Sequence, residues 1–320
     1  MTRRDLMLAG GAILASNAAA GSAGSAYTTA SEIAAFQSAR RFERTSFGQI
    51  AVVEKGAGPA AIFLHGWPLN GFQWRGALRR LSDLRRCVAP DFMGLGHSEV
   101  ARETDLSPTR QADMISELME RLSIDRADFV ANDSGTAVAQ LLAVRHPHRV
   151  RTLLLTNGDV DTNSPPQALK PAIEAARAGK LASMIRRHLE EPGFAASPMG
   201  LGWIAYTDPK FLTPEIMRAY FEPLLASPVR EAQFQQYGVA FEPNPLPAIE
   251  QQLAACQIPT RMLWGTADIH FATYWAHWLD GKLPKSRGVR LVPGANLFFV
   301  EEMPDLVAAE AIDLWSSVKA

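Results

Sequence analysis

Short apolar runs alternate with longer amphipathic stretches along most of the chain. The runs at 50–53, 60–64, 87–89, 129–131, 150–155, 262–264 and 289–292 are rich in Val, Ile, Leu, Ala and Phe and read as strands. Between most of them apolar residues recur at helical spacing, at 72–81, 107–122, 137–144, 271–283 and 304–318. Strands alternating with helices predict an α/β domain of eight strands, mostly parallel, with helices on both faces. One interval breaks the alternation. From 163 to 247 the pattern is helical and proline-rich, with no strand, which predicts a helical cap inserted into a core made of 40–162 and 248–318. Open sheets of this kind place their sites at the carboxyl ends of strands, so such a cap would roof the site.

Composition narrows the partners. The chain has 320 residues, 47% hydrophobic and 20% charged, with a formal net charge of −1. No basic block suggests nucleic acid, and a small-molecule substrate is the expected partner. The oligomeric state is left open. Thr2-Arg3-Arg4-Asp5-Leu6-Met7, the mild apolar run at 6–15 and the small residues up to Ala26 resemble a twin-arginine export signal. Ala18-Ala19-Ala20 or Gly24-Ser25-Ala26 could be cleaved, and residues 1–26 are taken as the signal segment. A periplasmic or secreted protein is therefore expected, with no stable membrane insertion after the signal is removed. Cys87 and Cys256 fall on or beside strands not expected to adjoin, so both should be free, buried thiols. No spacing suggests a metal site, and no cofactor is expected.

The chemistry centres on Ala131-Asn132-Asp133-Ser134-Gly135-Thr136, which joins an apolar run to a helical one. A strand, a sharp turn and a helix are the setting of a nucleophile elbow. The residues two before and two after its apex must be small. Centred on Asp133 these are Ala131 and Gly135; centred on Ser134 they are Asn132 and Thr136, a poorer fit. The exposed group is therefore read as a carboxylate, which favours attack on saturated carbon over acyl transfer.

Three further motifs fall at strand ends: Leu64-His65-Gly66-Trp67-Pro68, Pro90-Asp91-Phe92-Met93-Gly94-Leu95-Gly96-His97-Ser98 and Trp264-Gly265-Thr266-Ala267-Asp268. Over roughly residues 40–318, their order and spacing resemble the α/β-hydrolase superfamily. An Asp at the elbow looks like the haloalkane dehalogenase and epoxide hydrolase branch. The resemblance implies Asp133 as nucleophile, the backbone N–H groups of Trp67 and Ser134 as oxyanion hole, and Asp268 as the acid orienting a catalytic histidine. Asp159 and Asp161 follow the preceding strand, where some dehalogenases carry their acid, but here they read as turn residues. His65 is grouped with the substrate side of the site; in the family it helps order the loop beside the hole. Epoxide hydrolases protonate the epoxide oxygen with cap tyrosines, and this cap offers Tyr206, Tyr220 and Tyr237. Phe211, Phe221, Phe234, Trp203 and Met217 are read as pocket roof or cap core.

The chain departs from the family pattern in one place. Aligned on Glu301, Glu302 and Pro304, the catalytic histidine position holds Leu297, followed by Phe298, and both are placed as pocket-lining residues. A one-residue slip gives Asn296, and no histidine follows His277. Three readings stay open. His270, two residues after Asp268, replaces the missing base. Alternatively, Asp133 and Asp268 form a carboxylate pair for isomerase or lyase chemistry. In the third, the cleft only binds a ligand. The leading expectation is a cofactor-independent hydrolase acting on a small apolar substrate of the epoxide or haloalkane class.

Overall fold

The computed structural model describes residues 29–318; residues 1–26, expected to be an export signal, lie outside them. Nine strands form one sheet: β1 (Arg40–Thr45), β2 (Gly48–Lys55), β3 (Ala60–Leu64), β4 (Arg86–Pro90), β5 (Glu99–Val100), β6 (Ala127–Asp133), β7 (Val150–Gly158), β8 (Thr260–Gly265) and β9 (Ser286–Val292). Their order is β1-β2-β4-β3-β6-β7-β8-β9, with β5 paired to β2. From β4 to β9 every pairing is parallel; β1, β2 and β5 add an antiparallel margin.

The central strands show why apolar runs read so clearly. β3 and β6 are buried at every position, as strands covered on both faces must be. Within β6, the Asp128 charge is matched by Arg151 at 2.8 Å, Arg85 at 3.1 Å and the Thr152 hydroxyl at 2.7 Å. Two elements escape the pattern. β1, Arg-Arg-Phe-Glu-Arg-Thr, is a charged edge strand, the composition by which sheets discourage edge-to-edge pairing. Its Arg41 donates to Glu54 of β2 at 2.5 Å. The helix Thr29–Ser38 is also new; its Phe36 packs edge-on against Phe72 with centroids 5.3 Å apart.

Between β7 and β8 the chain is helical, with helices Lys170–Arg177, Leu181–Glu190, Leu201–Ala205, Pro214–Leu225 and Pro228–Val239. Three of the prolines in this interval, Pro171, Pro214 and Pro228, sit in the first turn of a helix. Thr213 and Ser227 cap the last two, accepting from Ile216 N–H at 3.4 Å and Arg230 N–H at 3.3 Å, with proline in the first turn where no N–H is needed. Cys87 and Cys256 are free and buried, and burial pushes the Cys87 thiol up to about 12. No helix among the described residues is long and apolar enough to cross a membrane.

Candidate active site

Asp133 ends β6 with φ 53° and ψ −125°, and Ser134 starts the helix Ser134–Arg145. A positive φ outside glycine costs about 1–3 kcal/mol and persists only where surroundings enforce it. They do so here through close backbone crossing: a Cβ on Gly135 would lie 2.5 Å from the Leu64 carbonyl oxygen. The apex is thus the aspartate. Its Oδ2 accepts the Trp67 N–H at 2.7 Å, and the Ser134 N–H also donates to the carboxylate. The two amides expected to line an oxyanion hole hold the nucleophile candidate's own oxygen.

The loop that supplies Trp67 N–H is fixed from beneath. The His65 Nε2 accepts the Phe92 N–H at 3.0 Å, so Nδ1 carries the hydrogen and donates to the Gly66 carbonyl at 2.9 Å. Complete burial lowers the imidazole to about 4, which keeps it neutral. Both ring nitrogens are engaged, so His65 orders the loop and has nothing to offer a substrate; its place among substrate-binding residues is corrected here. Gly66 N–H donates to Gln73 Oε1 at 2.8 Å, and Gln73 Nε2 donates to Asn132 Oδ1 at 2.7 Å. Asn132 Nδ2 then reaches Thr156 Oγ1 at 2.9 Å and the carbonyls of Asn157 and Leu297, each at 3.1 Å. One amide next to the apex ties three site loops together. A Cβ on Gly66 would meet the Asp133 Cβ at 2.7 Å and the Phe298 ring at 2.9 Å, so only glycine lets this loop come so near.

Opposite lies the loop after β8. Asp268 Oδ2 accepts from Asn157 Nδ2 at 2.8 Å. Its Oδ1 accepts the His270 N–H at 2.8 Å and faces His270 Nδ1 at 3.3 Å. The His270 side chain is 9% exposed and lies near enough to Asp133 to work electrostatically against the rise of its carboxyl. The structure therefore brings Asp133, Asp268 and His270 together.

A third carboxyl joins them. Asp159, just past β7, is 1% exposed, and its Oδ1 makes no hydrogen bond among the described residues. Its backbone N–H points to the Asp133 carbonyl at 3.4 Å. Burial, then the charge of Asp133, pushes its carboxyl well above the usual range. Asp133 itself is raised to about 7, chiefly by burial, with a smaller push from Asp268; the Trp67 and Ser134 amides and His270 work against the rise.

The cap residues separate into two groups. Tyr206 and Tyr220 donate to Glu301 Oε1 and Oε2, both at 2.6 Å, and Arg75 Nη1 meets Oε2 at 2.5 Å. Their hydroxyls are committed to this ion cluster, which corrects the expectation that they serve a substrate. Tyr237 stays at the site, beside Ser134, Asp133 and Asp159, and burial raises its phenol. Trp67 stacks on Phe234 at 5.7 Å and meets Phe241 edge-on at 5.9 Å, while its buried indole N–H makes no hydrogen bond among the described residues. Phe298 packs on Tyr206 at 5.4 Å, and Leu297 is buried. A cavity of about 10 Å³ lies beside the elbow, lined by Ser134, Val138, Tyr237, Phe241, Leu106 and their neighbours. Asn132, Asn157 and Asp159 were missed as site residues. Asn157-Gly158-Asp159 has the composition of a turn, and only strand pairing brings Asn157 to Asp268 and Asp159 to Asp133.

A sequence model described as alpha/beta hydrolase fold matches residues 59–302. Haloalkane dehalogenase 2 of Mycobacterium tuberculosis is 34% identical over 117 residues, 37% of this chain and 41% of that protein. A 2-hydroxymuconate semialdehyde hydrolase of Pseudomonas putida is 36% identical over 115 residues, 35% of this chain and 40% of its own. The matched stretches thus span about two fifths of these relatives. Among solved structures, an alpha/beta hydrolase fold protein from Burkholderia ambifaria superposes with a TM-score of 0.74 at 21% identity, covering 85% of this chain and 97% of that one.

Proposed function

The chain belongs to the α/β-hydrolase family, and from that premise we propose that it is a cofactor-independent hydrolase using Asp133 as nucleophile on a small, largely apolar substrate of the epoxide or haloalkane class. The observation that carries this reading is the Asp133 carboxylate at the elbow apex, its Oδ2 held by the Trp67 N–H and the carboxylate also met by the Ser134 N–H. A serine nucleophile would leave that hole empty for the substrate's oxygen. An aspartate nucleophile fills it with its own, so the oxygen that becomes the ester carbonyl is already in place.

Oδ1 of Asp133 attacks the carbon, the bond to the leaving group breaks, and an alkyl ester forms. His270, held by Asp268, takes a proton from water, which adds to Cγ of the ester. The oxyanion that develops on Oδ2 is stabilised by the same two amides, and collapse releases the alcohol. His270 thus fills the role left open by Leu297. The carboxylate-pair reading draws less support from the geometry, because both oxygens of Asp268 are engaged by Asn157 and His270. The test is intact mass with bromoethane and with propylene oxide. Turnover by the wild type, and an alkyl adduct on Asp133 when His270 is replaced by alanine, are expected. No adduct and no turnover in any variant would sink the reading.

We also propose twin-arginine export, on the strength of Arg3 and Arg4 and the apolar run after them. Replacing both arginines with lysine should leave the protein in the cytoplasm of its host; unchanged delivery would remove the claim.

A further inference from the structure

We propose that Asp159 is the general acid of this site, giving its proton to an oxygen leaving group as Asp133 opens the C–O bond. The inference rests on the hydrolase reading above. It begins from an orphan. Asp159 is 1% exposed and its Oδ1 has no hydrogen-bond partner among the described residues. Buried polar atoms are almost always paired, and an unpaired one in a native site calls for a ligand or a chemical task. Its backbone adjoins that of Asp133 through the 3.4 Å contact, and its carboxyl is near enough to feel Asp133 on one side and Tyr237 of the cap on the other.

Among the described residues no cation is placed to balance a charge on Asp159. The groups facing it are Asp133 from the end of β6, Tyr237 from the cap helix and the Ser164 hydroxyl, with Asp268 and His270 across the site on Asp133. Two adjacent buried carboxyls cannot both ionise easily. One of them therefore keeps a proton, and the one without N–H donors is the natural holder. Asp133 has two amide donors for its anion and Asp159 has none on its Oδ1.

The charge then balances at every stage with an epoxide. Initially Asp133 is the carboxylate and Asp159 the acid. An electron pair of Asp133 Oδ1 forms the C–O ester bond, the epoxide C–O pair moves to the departing oxygen, and the Asp159 proton follows it. Asp133 is now a neutral ester and Asp159 the only anion of the two. Water then hydrolyses the ester, Asp133 leaves as carboxylate, and the proton released in that step returns to Asp159. The sum is epoxide plus water to diol, and at no stage do both carboxyls carry charge. Tyr206 and Tyr220 are spoken for by Glu301, so of these three cap tyrosines only Tyr237 is left as a competing donor.

A haloalkane needs no proton, because halide departs as the anion. The two substrate types therefore separate a proton donor from a merely structural carboxyl. Asp159→Asn should lose propylene oxide turnover by about 10²-fold or more while alkylation by bromoethane stays within a few-fold of wild type. The wild-type epoxide profile should be bell-shaped, rising as Asp133 ionises and falling at higher pH as Asp159 loses its proton; the falling limb should be absent from what activity Asp159→Asn retains. Equal loss with both substrates would reduce Asp159 to a structural part and overturn the proposal, as would unchanged epoxide turnover. A loss in Tyr237→Phe with none in Asp159→Asn would move the role to the phenol and overturn it too. A wild type inert to both probes marks the failure of the hydrolase reading itself, and the proposal falls with it.

Discussion

Two buried carboxyl clusters flank the cap junction, and they differ in how fully they are paired. Glu301 has a fully buried side chain, yet it is met by the Arg75 guanidinium and the phenols of Tyr206 and Tyr220. Asp133 and Asp159 are buried too, but both backbone amides go to Asp133, and among the described residues no Lys or Arg is in direct contact with either. The first cluster has its lone pairs spent and binds cap to core. Arg75 also meets Glu32 of the first helix at 3.6 Å and lies 4.2 Å from the Phe72 ring centroid, so it gathers several elements at once. The second cluster keeps an oxygen free and a proton in play. Saturation marks a structural polar cluster and deficiency marks one poised for chemistry, although both are made of the same residue types.

Breaking the nucleophile gives the largest effect. Asp133→Asn should reduce adduct formation and turnover to background, since an amide neither attacks nor accepts a proton. The same change should stabilise the fold at pH 8. An unfolded aspartate loses its proton near 4, whereas Asp133 holds its own to about 7. Stability therefore falls as pH rises between those values, by something on the order of 4 kcal/mol, and asparagine removes the loss. Chemical denaturation of both proteins at pH 8 and pH 4 checks this; an equal difference at the two pH values would refute it.

His270→Ala comes next. Ester hydrolysis should slow by about 10²–10⁴-fold while alkylation continues, so the adduct accumulates in the mass spectrum. Adding Leu297→His in that background should recover part of the rate, because the second imidazole enters from the family's usual slot. Recovery absent, with the double variant folded, would show that Asp268 cannot serve a histidine from that side.

Removing the carboxylate of the saturated cluster tests the other half of the comparison. Glu301→Ala leaves the buried Arg75 with only the more distant Glu32 as counter-ion and should cost up to about 3–5 kcal/mol of stability, read by denaturant midpoint. The pH dependence of alkylation should stay where it is, since no group of that cluster acts on Asp133. A moved pH profile would mean the two clusters are coupled.

The smallest effect is the pH dependence of the wild type. Alkylation by bromoethane needs ionised Asp133, so its rate should rise about tenfold per unit below pH 7 and level off above it. A flat profile down to pH 5 would place the Asp133 carboxyl in the ordinary range and remove the reason for its strained, buried setting.

The sequence by itself determined the parallel sheet, the helical interval and the apex of the elbow. Those properties are local: apolar runs report burial on both faces, and the small residues at 131 and 135 report a backbone crossing two positions away. It also placed Asp268 and His270 at one strand end, because two residues of separation keep them together in any fold. Charged β1 and the first helix escaped, since neither carries an apolar pattern of its own. Tertiary structure alone decided the partners. The Asn157-Gly158-Asp159 stretch is indistinguishable from a turn until β6 and β7 pair and bring Asp159 to Asp133. Tyr206 and Tyr220 lie in the cap at sensible positions for a substrate, yet Glu301, 95 and 81 residues away in the chain, claims both. Which buried group a carboxyl faces depends on side-chain directions set by strand register and helix packing, and neither is written in any local run of residues.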